Sequence, residues 1–188
     1  LLAWGVLLAA FAAFLLIVVG GPALAWQLAK SASLVESATV RVRVGNLGVE
    51  QGDRRDILGQ GDPPTAVREG ARLALLGAEG SSAFIRLFDG TAAMLERHGR
   101  LELREMRRPR FPIADRPPEI LLGLDDDGAG ATLTVSTPYA APDAAAARLQ
   151  VDTPHARVRI SPDARVRFSL DAGSLRLAVD VGEAWVTA

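Results

Sequence analysis

The chain contains no cysteine, which removes a disulfide framework, a thiolate nucleophile and any cysteine metal site, and leaves the redox compartment open. Histidine is scarce as well. His98 precedes a glycine and His155 follows Thr153-Pro154, and neither has partners at the spacing that a metal site or a Ser/His triad requires. The patterns His-Glu-x-x-His and Gly-x-Ser-x-Gly do not occur. Aromatic residues make up 5% of the chain, so a core has to be built from Val, Leu, Ile and Ala. A formal net charge of −1 supplies no global attraction toward nucleic acid or anionic lipid. These absences point away from an enzyme, a cofactor, a metal ion and a nucleic-acid partner.

What the chain does have is a long apolar start. Residues 1–28 carry no ionisable side chain, and roughly 20 apolar residues suffice to cross a hydrocarbon core. A single spanning run satisfies its backbone only as a helix, so residues 1–29 are expected to form a transmembrane helix. Trp4 and Trp26 would sit about 33 Å apart along it, near the two interfaces. Phe11, Phe14, Leu15, Leu16 and Ile17 would face lipid with them, while Gly5, Ala9 and Ala13 provide small residues four apart for close helix packing. Pro22, after Gly20-Gly21, is expected to kink this helix. The rival reading, a signal peptide ending near Ala23 to Ala25, is disfavoured because apolar sequence continues to Leu28. The first residue already lies inside the run, so sequence is expected to precede it, and charge bias does not orient the helix.

Residues 30–38 read as a juxtamembrane linker, and at residue 39 the period changes. Thr39-Val40-Arg41-Val42-Arg43-Val44 alternates strictly, the pattern of a half-buried strand. Short apolar runs follow at 47–49, 57–58, 71–76, 83–88, 92–95 and 101–103, cut by Gly52-Asp53, Gly59-Gln60-Gly61-Asp62-Pro63-Pro64, Asp89-Gly90 and His98-Gly99. Short strands ended by residues that tolerate positive φ indicate an all-β domain over 39–188. Residues 107–147, rich in Pro, Arg and Ala, read as a loop-rich insertion carrying one hairpin. Strand rhythm returns at 148–152, 156–160, 164–170, 174–179 and 183–186.

The order of these turns resembles the extracytoplasmic FecR-type domain of bacteria. The residues that carry the likeness are Gly52-Asp53, Ile57-Leu58-Gly59-Gln60-Gly61-Asp62, Thr65, the strand closing at Asp89-Gly90, and Leu101-Glu102-Leu103, followed by Val151-Asp152-Thr153-Pro154 and Val179-Asp180-Val181-Gly182-Glu183-Ala184-Trp185-Val186. They cover most of 40–186. Two stretches depart from the pattern: Ser161-Pro162-Asp163 stands where a Gly-Thr is usual, and residues 66–80 add sequence before the Asp-Gly strand. The resemblance implies a β-solenoid-like stack of short strands, with a β-sandwich as the alternative. It also implies a non-catalytic, single-pass protein of the cell membrane with its carboxy-terminal domain outside the cytoplasm. The best-known members regulate sigma factors, which implies a protein partner in transmembrane signalling. The alternative is an accessory subunit that anchors to or stabilises a larger membrane complex.

Asp125-Asp126-Asp127-Gly128 lacks the alternation and terminal Glu of a calcium loop, and reads as a solvated turn. The arginines are the candidates for partner binding. Arg41, Arg43, Arg157, Arg159, Arg165 and Arg167 occupy polar phases of alternating strands, and stacking could align them into one basic face for an acidic partner or lipid headgroups. Arg107, Arg108 and Arg110, interleaved with prolines, form a candidate docking arm. The bland reading of the same arginines is a solvated sheet face that discourages edge-to-edge pairing.

Overall fold

The computed structural model describes residues 14, 18, 20–77, 80–111, 116–125, 130–139, 147–171 and 173–187. The chain divides into two compact units, residues 1–34 with 109–115, and residues 35–108 with 116–188. The first unit contains helix α1 (Gly21–Ser31), with Pro22 in its first turn and Lys30 in its last. The helix is followed by Ala32, whose carbonyl accepts the Arg110 N–H at 3.0 Å.

In chain order the strands are β1 (Ser33–Val35), β2 (Ser37–Val44), β3 (Asn46–Gln51), β4 (Arg54–Gly59), β5 (Thr65–Arg68), β6 (Arg72–Leu76), β7 (Ser82–Arg86), β8 (Ala92–Arg97), β9 (Arg100–Pro109), β10 (Glu119–Asp125), β11 (Ala131–Ser136), β12 (Arg148–Asp152), β13 (Arg157–Ile160), β14 (Arg165–Asp171), β15 (Ser174–Val181) and β16 (Ala184–Thr187). They form two sheets. The main path of the nine-stranded sheet is β4-β3-β6-β9-β10-β12-β13-β16, and the seven-stranded sheet runs β5-β2-β7-β8-β11-β14-β15. After the first few strands, both sheets grow in the order of the chain. The chain crosses from one sheet to the other every one or two strands. The crossing through β11 returns β12 in the same direction as β10, and that pair is parallel; the other long ladders are antiparallel.

Period-two alternation explains the layering. In β2, Ala38, Val40 and Val42 are buried while Thr39, Arg41 and Arg43 are exposed, and β9 buries Leu101, Leu103 and Met106. The inward residues of both sheets make one continuous core, dominated by Val, Leu, Ile and Ala. Phe168 is the single aromatic among the buried apolar side chains described. Asp89-Gly90 forms the β7–β8 hairpin turn: Gly90 has φ +91°, and the Asp89 carboxylate accepts the Thr91 N–H at 2.9 Å and its hydroxyl at 2.7 Å.

Three expectations are corrected here. The helix described is eleven residues long, about 16 Å, against a core of about 30 Å. Among the described residues no helix is long and apolar enough to cross a membrane, and the spanning helix expected over 1–29 is not supported. Pro22 lies in the first turn of the described helix, and the residues before it lie mostly outside the described ones. The stacked solenoid gives way to two sheets facing across one core, because most neighbouring strands pair antiparallel. The loop-rich segment is not set apart from the sheets either. The stretch 119–125 is free of proline and alternates inward at Ile120, Leu122 and Leu124, so β10 takes a central place in one sheet and β11 in the other.

Candidate functional site

The two outer faces treat their charges differently. On the nine-stranded sheet, register places Arg55, Glu50, Arg72, Glu102, Gly123 and Asp152 in one row, with Arg157 next. Ion pairs run along it: Arg55 to Glu50 at 2.7 Å, Arg72 to Glu102 at 3.2 Å, Arg104 to Glu102 at 2.9 Å and to Asp152 at 3.2 Å, and Arg157 to Asp152 at 2.9 Å. Gly123 makes room for this chain, since a Cβ there would lie 2.7 Å from Arg104 Nε. Hydrogen bonds from Arg104 hold the Glu102 carboxyl below its ordinary range, against the opposing effect of burial and with help from Arg72. For Asp152, burial is the largest single influence and pushes upward. The hydrogen bonds from Arg157 and Gln150 and the charges of Arg157 and Arg104 outweigh it, and the net shift is downward. Beside the row lies a groove of about 850 Å³ over Gly48 and Ala74, walled by the exposed Ile57 and Leu76. The charges of this row are paired with one another, while Arg148 and Arg159 on the same sheet carry no ion pair among the described residues.

The seven-stranded sheet is the opposite case. Register aligns Arg41, Phe84, Met94, Thr134 and Arg167 in one row, and Thr39, Arg86, Ala92, Ser136 and Arg165 in the next. Phe84 and Met94 are half-buried. Arg41 and Arg167 bracket them four strand spacings apart, about 19 Å. Among the described residues Arg41, Arg43, Arg86 and Arg167 carry no ion pair, and Arg165 reaches Asp180 only at 3.8 Å. Arg41, Arg43, Phe84 and Met94 also line a hollow of about 640 Å³, closed on one side by Gln60 and Gly61 of the β4–β5 loop. Lys30 is the chain's single lysine, so these cations are arginines, whose planar forks match carboxylates bidentately.

The sequence candidates therefore separate. Arg41, Arg43, Arg165 and Arg167 share one sheet face, while Arg157 and Arg159 lie on β13 in the other sheet. Arg107 and Arg108 belong to β9, and each is held by a carboxylate: Arg107 by Glu69 at 2.8 Å, and Arg108 by Glu36. Glu69 also accepts the Met106 N–H at 3.1 Å. The Arg107 hydrogen bonds are the main reason that its carboxyl titrates below the ordinary range, with burial opposing. Arg110 stacks over Phe111, 5.6 Å from the ring centre. Among the membrane-anchor candidates, Phe14 is 60% exposed and Trp26 is 48% exposed with the Lys30 ammonium 5.5 Å above its ring. Trp4, Gly5, Ala9, Phe11, Ala13, Leu15, Leu16 and Ile17 lie outside the described residues. His98 is half-buried in the β8–β9 turn and His155 is exposed. Among the described residues no group of three metal-ligating side chains comes together.

Sequence reasoning passed over Arg86, Phe84 and Met94. Arg86 had a signal, because it occupies the same polar phase as the other arginines; Phe84 breaks that phase with an aromatic. Compared with protein-family models, curated proteins and solved structures, the chain matches none of them.

Proposed function

We propose that the β domain is a non-enzymatic protein-binding module, and that the outer face of its seven-stranded sheet takes an acidic segment of a protein partner. The observation that carries this reading is the contrast between two rows: Arg55, Arg72, Arg104 and Arg157 paired along the row of the nine-stranded sheet, and Arg41, Arg43, Arg86 and Arg167 without ion pairs among the described residues around Phe84 and Met94 on the other sheet. Charge excess of one sign steers encounter and selects partners of the opposite sign. A half-buried aromatic and a methionine between arginines supply an apolar centre, the composition found at the centre of protein interfaces. The FecR-type resemblance supports a regulatory sense for that binding.

The test uses the full chain in mild detergent and a peptide alternating Glu with Leu, measured by titration calorimetry or anisotropy. Arg41→Glu combined with Arg167→Glu is expected to abolish binding, and Arg159→Glu, on the opposite face, to leave it within twofold. Equal loss in both variants would remove the face from consideration. Binding to vesicles of anionic phospholipid in place of the peptide would replace the protein partner by a membrane surface. Recovery from native extracts in fixed ratio with a large membrane assembly would make the chain an accessory subunit.

A further inference from the structure

The row Arg41, Phe84, Met94, Thr134 and Arg167 crosses five adjacent strands, β2, β7, β8, β11 and β14. It has a cation at each end, and a half-buried aromatic and methionine between them. The rows on its two sides differ in sign. On one side Arg86 and Arg165 add positive charge. On the other, Glu96 of β8 stands between its register partners Ser82 and Thr132. Glu96 follows the buried Leu95 and so shares the outer face with Met94. It is half-buried, and it carries no ion pair among the described residues. Successive outward residues of one strand are about 7 Å apart, so Glu96 flanks Met94 within the screening length of about 8 Å at physiological salt. A carboxylate without a cation partner thus stands beside the middle of the row that the arginines bracket.

We infer that this face selects a two-ended acidic motif: an extended protein segment with acids six residues apart, and apolar side chains in place of acids at the inward positions between them. The motif rests on the face being the binding surface proposed above. The segment lies across the strands. Six residues of extended chain span about 20 Å, and the four strand spacings from Arg41 to Arg167 span about 19 Å. Side chains of an extended segment alternate, so its positions 1, 3, 5 and 7 face the sheet together. Position 1 meets Arg41 and position 7 meets Arg167, and each guanidinium offers a planar fork to a carboxylate. Positions 3 and 5, about 7 and 13 Å along, fall on either side of Met94. There Phe84 and Met94, which line the hollow closed by Gln60 and Gly61, accept apolar side chains, and Glu96 repels carboxylates. An extended chain fits over this single row, whereas a helix about 10 Å across would overlap the row of Glu96. Glu96 is therefore a specificity-determining residue, a repulsive element against the densely acidic segments that the arginines alone would favour.

Two blocked peptides titrated against the full chain in mild detergent separate this motif from simple charge attraction: Glu-Gln-Leu-Gln-Leu-Gln-Glu and Glu-Gln-Glu-Gln-Glu-Gln-Glu. The first is expected to bind about threefold to tenfold more tightly, although it carries half the charge. Placing its two acids two or ten positions apart is expected to weaken it by about fivefold or more, because one arginine then loses its carboxylate. Glu96→Gln is expected to raise the affinity of the four-acid peptide about threefold, the scale of an exposed charge contact, and to leave the two-acid peptide within twofold. A merely structural role for Glu96 would move both peptides alike. Equal or tighter binding of the four-acid peptide, or an equal shift of both in Glu96→Gln, overturns the motif; the face itself still stands if Arg41→Glu with Arg167→Glu abolishes binding. Binding that is absent, or that survives the loss of those arginines, overturns the face and the motif together.

Discussion

Gly182 and Gly123 show how differently two glycines can be required. Gly182 ends β15 with φ +76°, and a Cβ there would lie 2.7 Å from the Ala164 Cα, so both conformation and backbone contact oppose a side chain. Gly182→Ala is expected to cost about 2 kcal/mol or more, from the left-handed conformation and the added clash, read as a lower denaturant midpoint. At Gly123 the obstacle is the end of the flexible Arg104 side chain. Gly123→Ala should therefore cost within about 1 kcal/mol, the scale of an exposed ion pair, while displacing Arg104 from Asp152. Only the first glycine was legible in the sequence, as part of the Val181-Gly182 ending. The second is required by a side chain arriving from a neighbouring strand, and register is needed to see that.

Among the elements, β9 is tied down by its ionic contacts as well as by its buried leucines. Glu69, in the turn between β5 and β6, accepts from the Met106 N–H and from Arg107 Nε and Nη2 at 2.8–3.1 Å. Glu69, Glu102 and Asp152 all titrate below their ordinary values. Each is ionised more readily in the folded than in the unfolded chain, so its stabilising contribution is complete above the unfolded carboxylate range of about 4. That contribution is lost as pH falls through the lower folded values. The unfolding midpoint is expected to hold from pH 7 to about 5 and to fall below about 4. Glu69→Gln should lose about 1–2 kcal/mol at pH 7, the scale of a charged hydrogen bond, and then decline less steeply with acid. A constant midpoint down to pH 3 would show that these pairs contribute little. The sequence placed Arg107 and Arg108 in a loop because of the prolines around them. Met106, buried one residue earlier, keeps the strand in the sheet as far as Pro109.

At the scale of the whole molecule, the distribution of charge matters more than its sum. A net charge of −1 conceals a row of paired ions on one sheet and, on the other, Arg41, Arg43, Arg86 and Arg167 without ion pairs among the described residues. The consequence is a separation of stability from binding. Arg41→Glu with Arg167→Glu removes no described ion pair, and should change stability by no more than about 0.5 kcal/mol per site while eliminating binding of an acidic peptide. Asp152→Asn, which strips both Arg104 and Arg157 of a partner, should lower the thermal midpoint and leave peptide binding intact. Raising salt from 0.05 to 0.5 M is expected to weaken the peptide complex at least tenfold, because the contacts are exposed. A salt-independent affinity would place the binding energy in Phe84 and Met94.

Local sequence was enough to dictate that most of the chain forms short strands, since alternation at 39–44 and 165–168 and turns such as Asp89-Gly90 are properties of neighbouring residues. It also dictated what the core is made of, because so few aromatics were available. Whatever depends on which strand lies beside which was settled by the folded arrangement. Identical alternation in β2, β13 and β14 suggested one arginine face, but the chain's crossings put β13 in one sheet and the other two in the opposite one. Pairing then gave Arg157 a carboxylate and left Arg41 and Arg167 without one. A strand's period tells which residues share a face of that strand. Whose face it joins is set by long-range register, and no local pattern in this chain encodes that.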